Sequence, residues 1–173
     1  MRQKIMANTE TSVHKNRILV SFDEGIAEPL WLSRIEPFMR SVLDTLHFEN
    51  EELSVLFCSD ALMQSLNKQY RSIDAPTDVL SFENGDEYTD DDGNTWLCAG
   101  DIIISVDTLP VNAAYFGVSE NEELKRLLIH GTLHLNGYDH GEAHVEAGKE
   151  PEDDMLKLQE NVLRTFSDVI LIQ

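Results

Sequence analysis

A chain of 173 residues is the length of one ordinary domain, with enough material to bury a hydrophobic core. Its 42% hydrophobic and 26% charged content excludes disorder over most of the length. No run approaches the ~20 apolar residues of a bilayer span, so no membrane association is expected. Met1 to Arg17 holds no apolar signal core, and Cys58 and Cys98 stand far apart without metal-like or redox spacing. The expectation is a cytoplasmic protein with reduced thiols. A formal charge of −19 opposes polyanions and gives no reason to expect DNA as a partner. Much of that acid is local to Glu83–Asp92, however, and leaves the field at a distant cleft open.

Residues 1–16 are polar, lack apolar periodicity and read as a loose arm before a single domain over 17–173. Ile18–Phe22 reads as a first strand. From Pro29 to His47 apolar residues recur at helical spacing, with Phe38, Val42 and Leu46 on one stripe and Pro37 marking a helix start or break. Leu53–Cys58 has a buried-strand pattern, and Asp60 reads as the N-cap of a helix that carries Leu62, Met63, Leu66 and Tyr70 and ends at Arg71. Val79–Phe82 predicts a short strand and Asp101–Ser105 a further one, joined into a hairpin by the acidic, glycine-containing loop between them. Asp107–Phe116 predicts a short helix. Ser119 with Glu122 makes a capping-box pattern that opens a longer helix to Asn136, with Gly137 at its C′ position. Pro151 opens the last helix, whose inner face carries Met155, Leu158, Val162 and Phe166. No internal repeat or linker interrupts these elements.

The segment His130-Gly131-Thr132-Leu133-His134-Leu135-Asn136-Gly137-Tyr138-Asp139-His140 places three histidines within eleven residues. Residues four apart share a helix face, so His130 and His134 can chelate one ion. Gly137 lets the chain leave the helix at positive φ, and His140 can return as a third ligand. This H-x3-H-x2-G-x2-H spacing is that of metzincin zinc proteases, where three imidazoles leave a coordination position open. Three neutral nitrogens suit one zinc ion, and nickel, copper or iron fit the same donors. The glutamate that proteases carry after the first histidine is replaced by Gly131. Asp139 is a nearby carboxylate, more suited to orienting an imidazole than to taking a proton. His144 reads as an exposed loop residue with a lesser claim as a spare ligand.

Asp74-Ala75-Pro76-Thr77-Asp78 taken alone is a turn leading into a strand, with side-chain oxygens closing backbone bonds. Arg71 alone reads as a surface ion-pair partner. Leu66-Asn67-x-x-Tyr70-Arg71, the run Pro76-Thr77-Asp78-Val79-Leu80-Ser81-Phe82, Gly100-Asp101-Ile102 and the histidine segment together tell more. They resemble the YbeY family, metal-dependent bacterial endoribonucleases implicated in ribosomal RNA maturation and ribosome quality control. The resemblance covers roughly residues 52 to 165. It implies that the three histidines are zinc ligands and that Arg71 matches an arginine the family needs for activity. The acidic segment Asn84–Thr95 and the total charge depart from what RNA binding favours, so a partner such as the ribosome or its proteins would supply what is missing.

The expectation is therefore an α+β domain, a mixed sheet of about four strands packed by helices, with a metal-bearing helix against it. The resemblance implies that its function is zinc-dependent cleavage of single-stranded RNA, ribosomal RNA above all, at the 3′ end of the small-subunit rRNA. A metal and a guanidinium can share the phosphate charge, which makes Arg71 and His130 the candidate catalytic residues. The rival readings are a metalloprotease on the same histidines and a metal-stabilised adaptor that only docks on the ribosome. Phe82, Trp96 and Tyr138 could stack on bases, although aromatic residues beside strands and turns more often pack.

Overall fold

The computed structural model describes residues 16–146 and 148–173. Four strands form one sheet in the order β1-β2-β4-β3, from β1 (Arg17–Phe22), β2 (Glu51–Cys58), β3 (Val79–Thr89) and β4 (Thr95–Ser105). β1, β2 and β4 run parallel, and β3 pairs antiparallel with β4. Among the described residues five α-helices accompany the sheet: α1 (Ile35–Leu46), α2 (Asp60–Arg71), α3 (Thr108–Phe116), α4 (Glu120–Leu135) and α5 (Asp154–Thr165). The expected α+β class, mixed sheet and strand number are all present.

Alternation along the strands divides the interior in two. Leu53, Val55 and Phe57 of β2 and Ile102 and Ile104 of β4 face the main core, with α1, α4 and α5. Leu56 and Ile103 face the other way, toward Met63 of α2 and Leu80. Cys58 is buried on this second side, where loss of solvent pushes its thiol up to about 12, so it packs as a small apolar residue. Among the described residues no helix is long and apolar enough to cross a membrane.

Glycine shapes β4 at one place. Gly100 has φ +135°, and a Cβ there would lie 2.0 Å from the Phe82 carbonyl oxygen. The backbones of β3 and β4 can approach only because that atom is absent. The pairing with β2 and with β3 shifts register beside it, so the Gly100-Asp101-Ile102 motif is the re-aligned strand that brings Ile102 under α4.

α4 is the buried centre of the helical layer. Lys125, 2% exposed, donates from Nζ to the carbonyls of Phe166 (2.8 Å), the C-terminal cap of α5, and of Val169 (3.1 Å) just beyond it. Burial lowers its pKa. Asn121 adds a second tie, its Oδ1 accepting from the backbone N–H of Leu171 (2.6 Å) and Ile172 (3.1 Å). These bonds fix α5, and with it one wall of the site, against α4.

Four expectations need correction. The N-cap of α2 is Ser59, whose Oγ accepts from Leu62 N–H; Asp60 is the first helical residue and instead accepts from Ser105 and Thr108 hydroxyls. The last helix begins at Asp154 with Asp153 as cap, because Asp153 Oδ1 takes the Leu156 N–H, a bond for which Pro151 has no side-chain acceptor. β3 extends to Thr89, so the acidic stretch expected to be a loop is mostly strand. Pro37 neither breaks α1 nor starts it; it lies in the first turn, where its missing N–H costs nothing. The proposed arm, residues 1–15, lies outside the described residues. Asn16, counted with it, is buried: its Oδ1 accepts from Glu51 N–H (3.0 Å) and its Nδ2 donates to the Phe48 carbonyl (2.9 Å).

Candidate metal centre

Ser119 caps α4 by accepting the Glu122 N–H at 3.1 Å, as its spacing suggested. Ten residues of α4 are buried, among them neighbours on both sides of His130 and His134, which come to the surface of the core together. The helix stops at Leu135. Gly137 takes φ +76°, and the Gly137 and Tyr138 N–H groups close on the His134 and Leu133 carbonyls, both at 3.1 Å. This left-handed C-terminal turn swings His140 back over the two helical histidines.

One nitrogen from each of His130, His134 and His140 lies within 4.8 Å of the others. The ring centroids are separated by 4.6 to 5.2 Å. His130 Nε2 and His134 Nε2 are 3.1 Å apart. Burial is the main cause that lowers both imidazoles, His130 to about 4, so both are neutral at physiological pH. His140 Nδ1 is buried and has no hydrogen-bond partner among the described residues. Convergent imidazole nitrogens and an unsatisfied buried nitrogen are the donor set that a divalent transition metal requires. His144 is exposed and stands outside this cluster, its ring 6.4 Å from that of His140.

Asp139 is exposed, and its Oδ1 accepts from Gly141 N–H at 3.1 Å. That bond is the first cause holding its carboxyl below the ordinary value. Its carboxylate thus shapes the turn that carries His140.

The histidines line a cleft of about 1490 Å³ that Arg71 also lines. Arg71 is the last residue of α2, whose end is fixed by Ser72 in the left-handed region and by the Ser72 and Ile73 N–H groups on Lys68 and Asn67. Asn67, 2% exposed, donates to the Ala75 carbonyl at 2.8 Å and ties this end to the next loop. No residue among those described pairs with the Arg71 guanidinium, which is exposed. The expected surface ion pair is made instead by Lys68, with Asp74 at 2.6 Å. Asp78 holds the loop's far end: Oδ1 accepts from Val79 N–H (2.8 Å) and Oδ2 from Asn112 of α3 (2.7 Å).

Gly131 is buried against the sheet. A Cβ at this position would meet Ile102 Cγ2 at 2.8 Å, so the residue after the first histidine faces β4 and not the cleft. A protease-type glutamate has no room here. Of the three aromatic candidates for base stacking, Trp96 is 8% exposed and pinned between Arg17, 3.8 Å from its ring, and Asp90, which accepts its Nε1–H at 2.8 Å. Phe82 packs edge-on to Tyr70, and Tyr138 is 40% exposed. Two cleft residues escaped the sequence reading. Tyr115 of α3 lines the cleft at 79% exposure, and nothing in its spacing marks it. Gln159 accepts or donates at His130 Nδ1 over 2.7 Å. Its signal was available, since it is the polar residue on the apolar stripe between Met155 and Val162.

Residues 21–167 match the family model described as Endoribonuclease YbeY. Proteins named Endoribonuclease YbeY from Treponema denticola and Aquifex aeolicus are 51% and 38% identical to the chain. The first alignment covers 89% of this chain and 96% of the relative, the second 94% and 99%. The solution structure of a Thermotoga maritima protein superposes with TM-score 0.57 at 24% identity, covering 87% of this chain and 90% of that one, a likeness of fold. With the motifs, the sheet and the histidine cluster in agreement with these matches over nearly the whole length, the chain belongs to the YbeY family.

Proposed function

We propose that the chain is a zinc-dependent endoribonuclease that cuts single-stranded RNA, acting on ribosomal RNA in maturation of the small-subunit 3′ end and in ribosome quality control, in the cytoplasm and beside the ribosome or its proteins. The observation that carries it is one cleft lined both by three convergent imidazoles and by an arginine that has no partner among the described residues. His130, His134 and His140 would hold one Zn²⁺, and His130 would serve the chemistry as a ligand whose ring is oriented through Nδ1 by Gln159. Bound there, zinc supplies Lewis-acid neutralisation of charge on a phosphate oxygen. Arg71 binds and orients the same phosphate, since a planar guanidinium can donate two parallel hydrogen bonds to it. Asp139 keeps the His140 turn in place. Tyr115 offers an exposed ring at the cleft on which an unpaired base can stack. The name shared by the relatives supports RNA as the polymer. The metalloprotease reading loses its base, because position 131 opens onto Ile102.

The experiment is parallel digestion of single-stranded RNA and casein by wild type, His134→Ala and Arg71→Lys. RNA alone should be cut. His134→Ala should lose both zinc and cleavage, because two imidazoles are too few for tight binding. Arg71→Lys keeps charge but not the fork, and should cut about 10²–10³ more slowly with zinc content unchanged. Wild-type cleavage by Arg71→Lys would remove Arg71 from the site. Turnover of neither polymer, with ribosome binding retained, would make the protein an adaptor.

A further inference from the structure

We infer that Gln159 is a positioning residue that locks His130 in one tautomer, with the proton on Nδ1 and the Nε2 lone pair turned toward His134 and His140. This rests on the reading of the three histidines as metal ligands. The amide's orientation follows from its neighbours. Gln159 is 1% exposed, and its Nε2 donates to Glu160 Oε1 at 3.0 Å. A carboxylate oxygen only accepts, so the NH₂ end must be the one that faces Glu160. Oε1 is then the end 2.7 Å from His130 Nδ1. An amide oxygen also only accepts, which puts the imidazole hydrogen on Nδ1 and leaves His130 Nε2 as a lone pair, 3.1 Å from His134 Nε2. Turning the amide over would set its oxygen against the Glu160 carboxylate oxygen at 3.0 Å, which rules that orientation out.

The lock is itself anchored. Glu160 Oε1 accepts from Arg126 Nε at 3.0 Å, and Arg126 Nη1 donates to Glu123 Oε2 at 2.7 Å. Glu123 is 1% exposed. Glu123, Arg126 and His130 stand three and four residues apart on α4, so they share a face, and the chain leaves that helix through Arg126 and returns to it through Gln159. The packing of α5 on α4, fixed by Lys125 and Asn121, therefore sets which nitrogen of His130 is free. Hydrogen bonds behind a ligand of this kind orient the ring and raise its basicity.

The test measures zinc affinity by competition with a chromophoric chelator, together with the His130 Nδ1–H resonance of the zinc-loaded protein. Gln159→Met keeps the shape but removes the acceptor. It should bind zinc about 10–100-fold more weakly and lose the slowly exchanging Nδ1–H signal. The swapped pair Gln159→Glu with Glu160→Gln keeps an acceptor toward His130 and a donor between the two side chains, and should stay close to wild type on both measurements. The inference is overturned if folded Gln159→Met binds zinc like wild type, or if the swapped pair loses affinity and resonance. Should Gln159→Met not fold, the swapped pair decides by itself. His134→Ala separates the two levels: zinc retained there refutes the metal reading, whereas zinc lost there but kept by Gln159→Met refutes only the role of Gln159.

Discussion

A methyl group at position 131 would sit 2.8 Å from Cγ2 and 3.0 Å from Cδ1 and Cγ1 of Ile102, an atom group that is itself fully buried. Two effects of Gly131→Ala oppose each other. Alanine gains about 1 kcal/mol over glycine inside a helix, while overpacking a filled core costs about 1–3 kcal/mol. Since α4 must move off β4 or Ile102 must leave its rotamer, the second effect should win, and the urea midpoint should fall. Shortening the neighbour, in Gly131→Ala with Ile102→Val, should return part of the loss because it removes one of the offending carbons. A Gly131→Ala protein more stable than wild type would show that the contact relaxes freely and that glycine is not required for packing. The same geometry explains why the residue pattern looks like a protease motif with its base deleted. The two histidines obey helical periodicity, which a sequence displays directly, but which way position 131 faces depends on the strand beneath it.

Among the elements, the β3–β4 hairpin differs most from its expected form. Acidic residues have low strand propensity, so Glu83 to Asp92 reads as loop. As an outer strand it needs only one paired edge, and Asp86, Glu87 and Tyr88 pair with Cys98, Leu97 and Trp96. Asp90 makes the turn: it accepts from Asn94 N–H (2.9 Å), Trp96 Nε1–H (2.8 Å) and Arg17 Nη2 (2.8 Å), joining the hairpin to the edge of β1. The Trp96 bond leads the causes that lower its carboxyl to about 2. A depressed carboxyl contributes stability that is present above the unfolded value of about 4 and is lost as pH falls through the folded value. Wild type should therefore exceed Asp90→Asn in urea midpoint near neutral pH, with the gap narrowing from about pH 4 down to about pH 2. A gap that stays constant over that interval would mean that shape, not charge, is what Asp90 provides. Local chemistry made much else legible: the Ser119 cap, the turn at Gly137 just past the end of α4, the hairpin, and the histidine spacing. Arg71 and Gln159 were different cases. Neither has a diagnostic spacing to the histidines, because α2 and α5 reach the cleft only through tertiary packing. The family resemblance supplied Arg71, and the structure supplied Gln159.

For the whole molecule, the formal charge of −19 sets how a polyanion approaches. The cleft does not escape it. Among the described residues that line it stand nine carboxylates, from Asp78 to Asp153, against Arg71, Arg126 and Lys149. Two of those cations are already engaged, Arg126 with Glu123 and Glu160, and Lys149 with Glu146. Of these three cations only Arg71 is left without a partner among the described residues, and a metal ion held by the histidines would add a second short-range attraction for phosphate. A nuclease with a basic groove releases counterions on binding, so its affinity falls steeply with salt. Here the long-range field repels RNA, and salt weakens that repulsion as the Debye length contracts from about 30 Å at 0.01 M to about 10 Å at 0.1 M. The attraction at Arg71 is too short-ranged to be screened as strongly. On a short, free, single-stranded oligonucleotide, kcat/KM should therefore rise or stay level between those ionic strengths, where a basic nuclease would lose activity. Initial rates well below KM, at a fixed divalent-metal concentration and with a monovalent salt, measure it. A steep fall, with a slope of several phosphates in log–log form, would mean that the cleft neutralises RNA despite its carboxylates and that the chain needs no cationic partner to reach its substrate. A rise would place the missing attraction elsewhere, on a basic surface that brings the RNA to the enzyme.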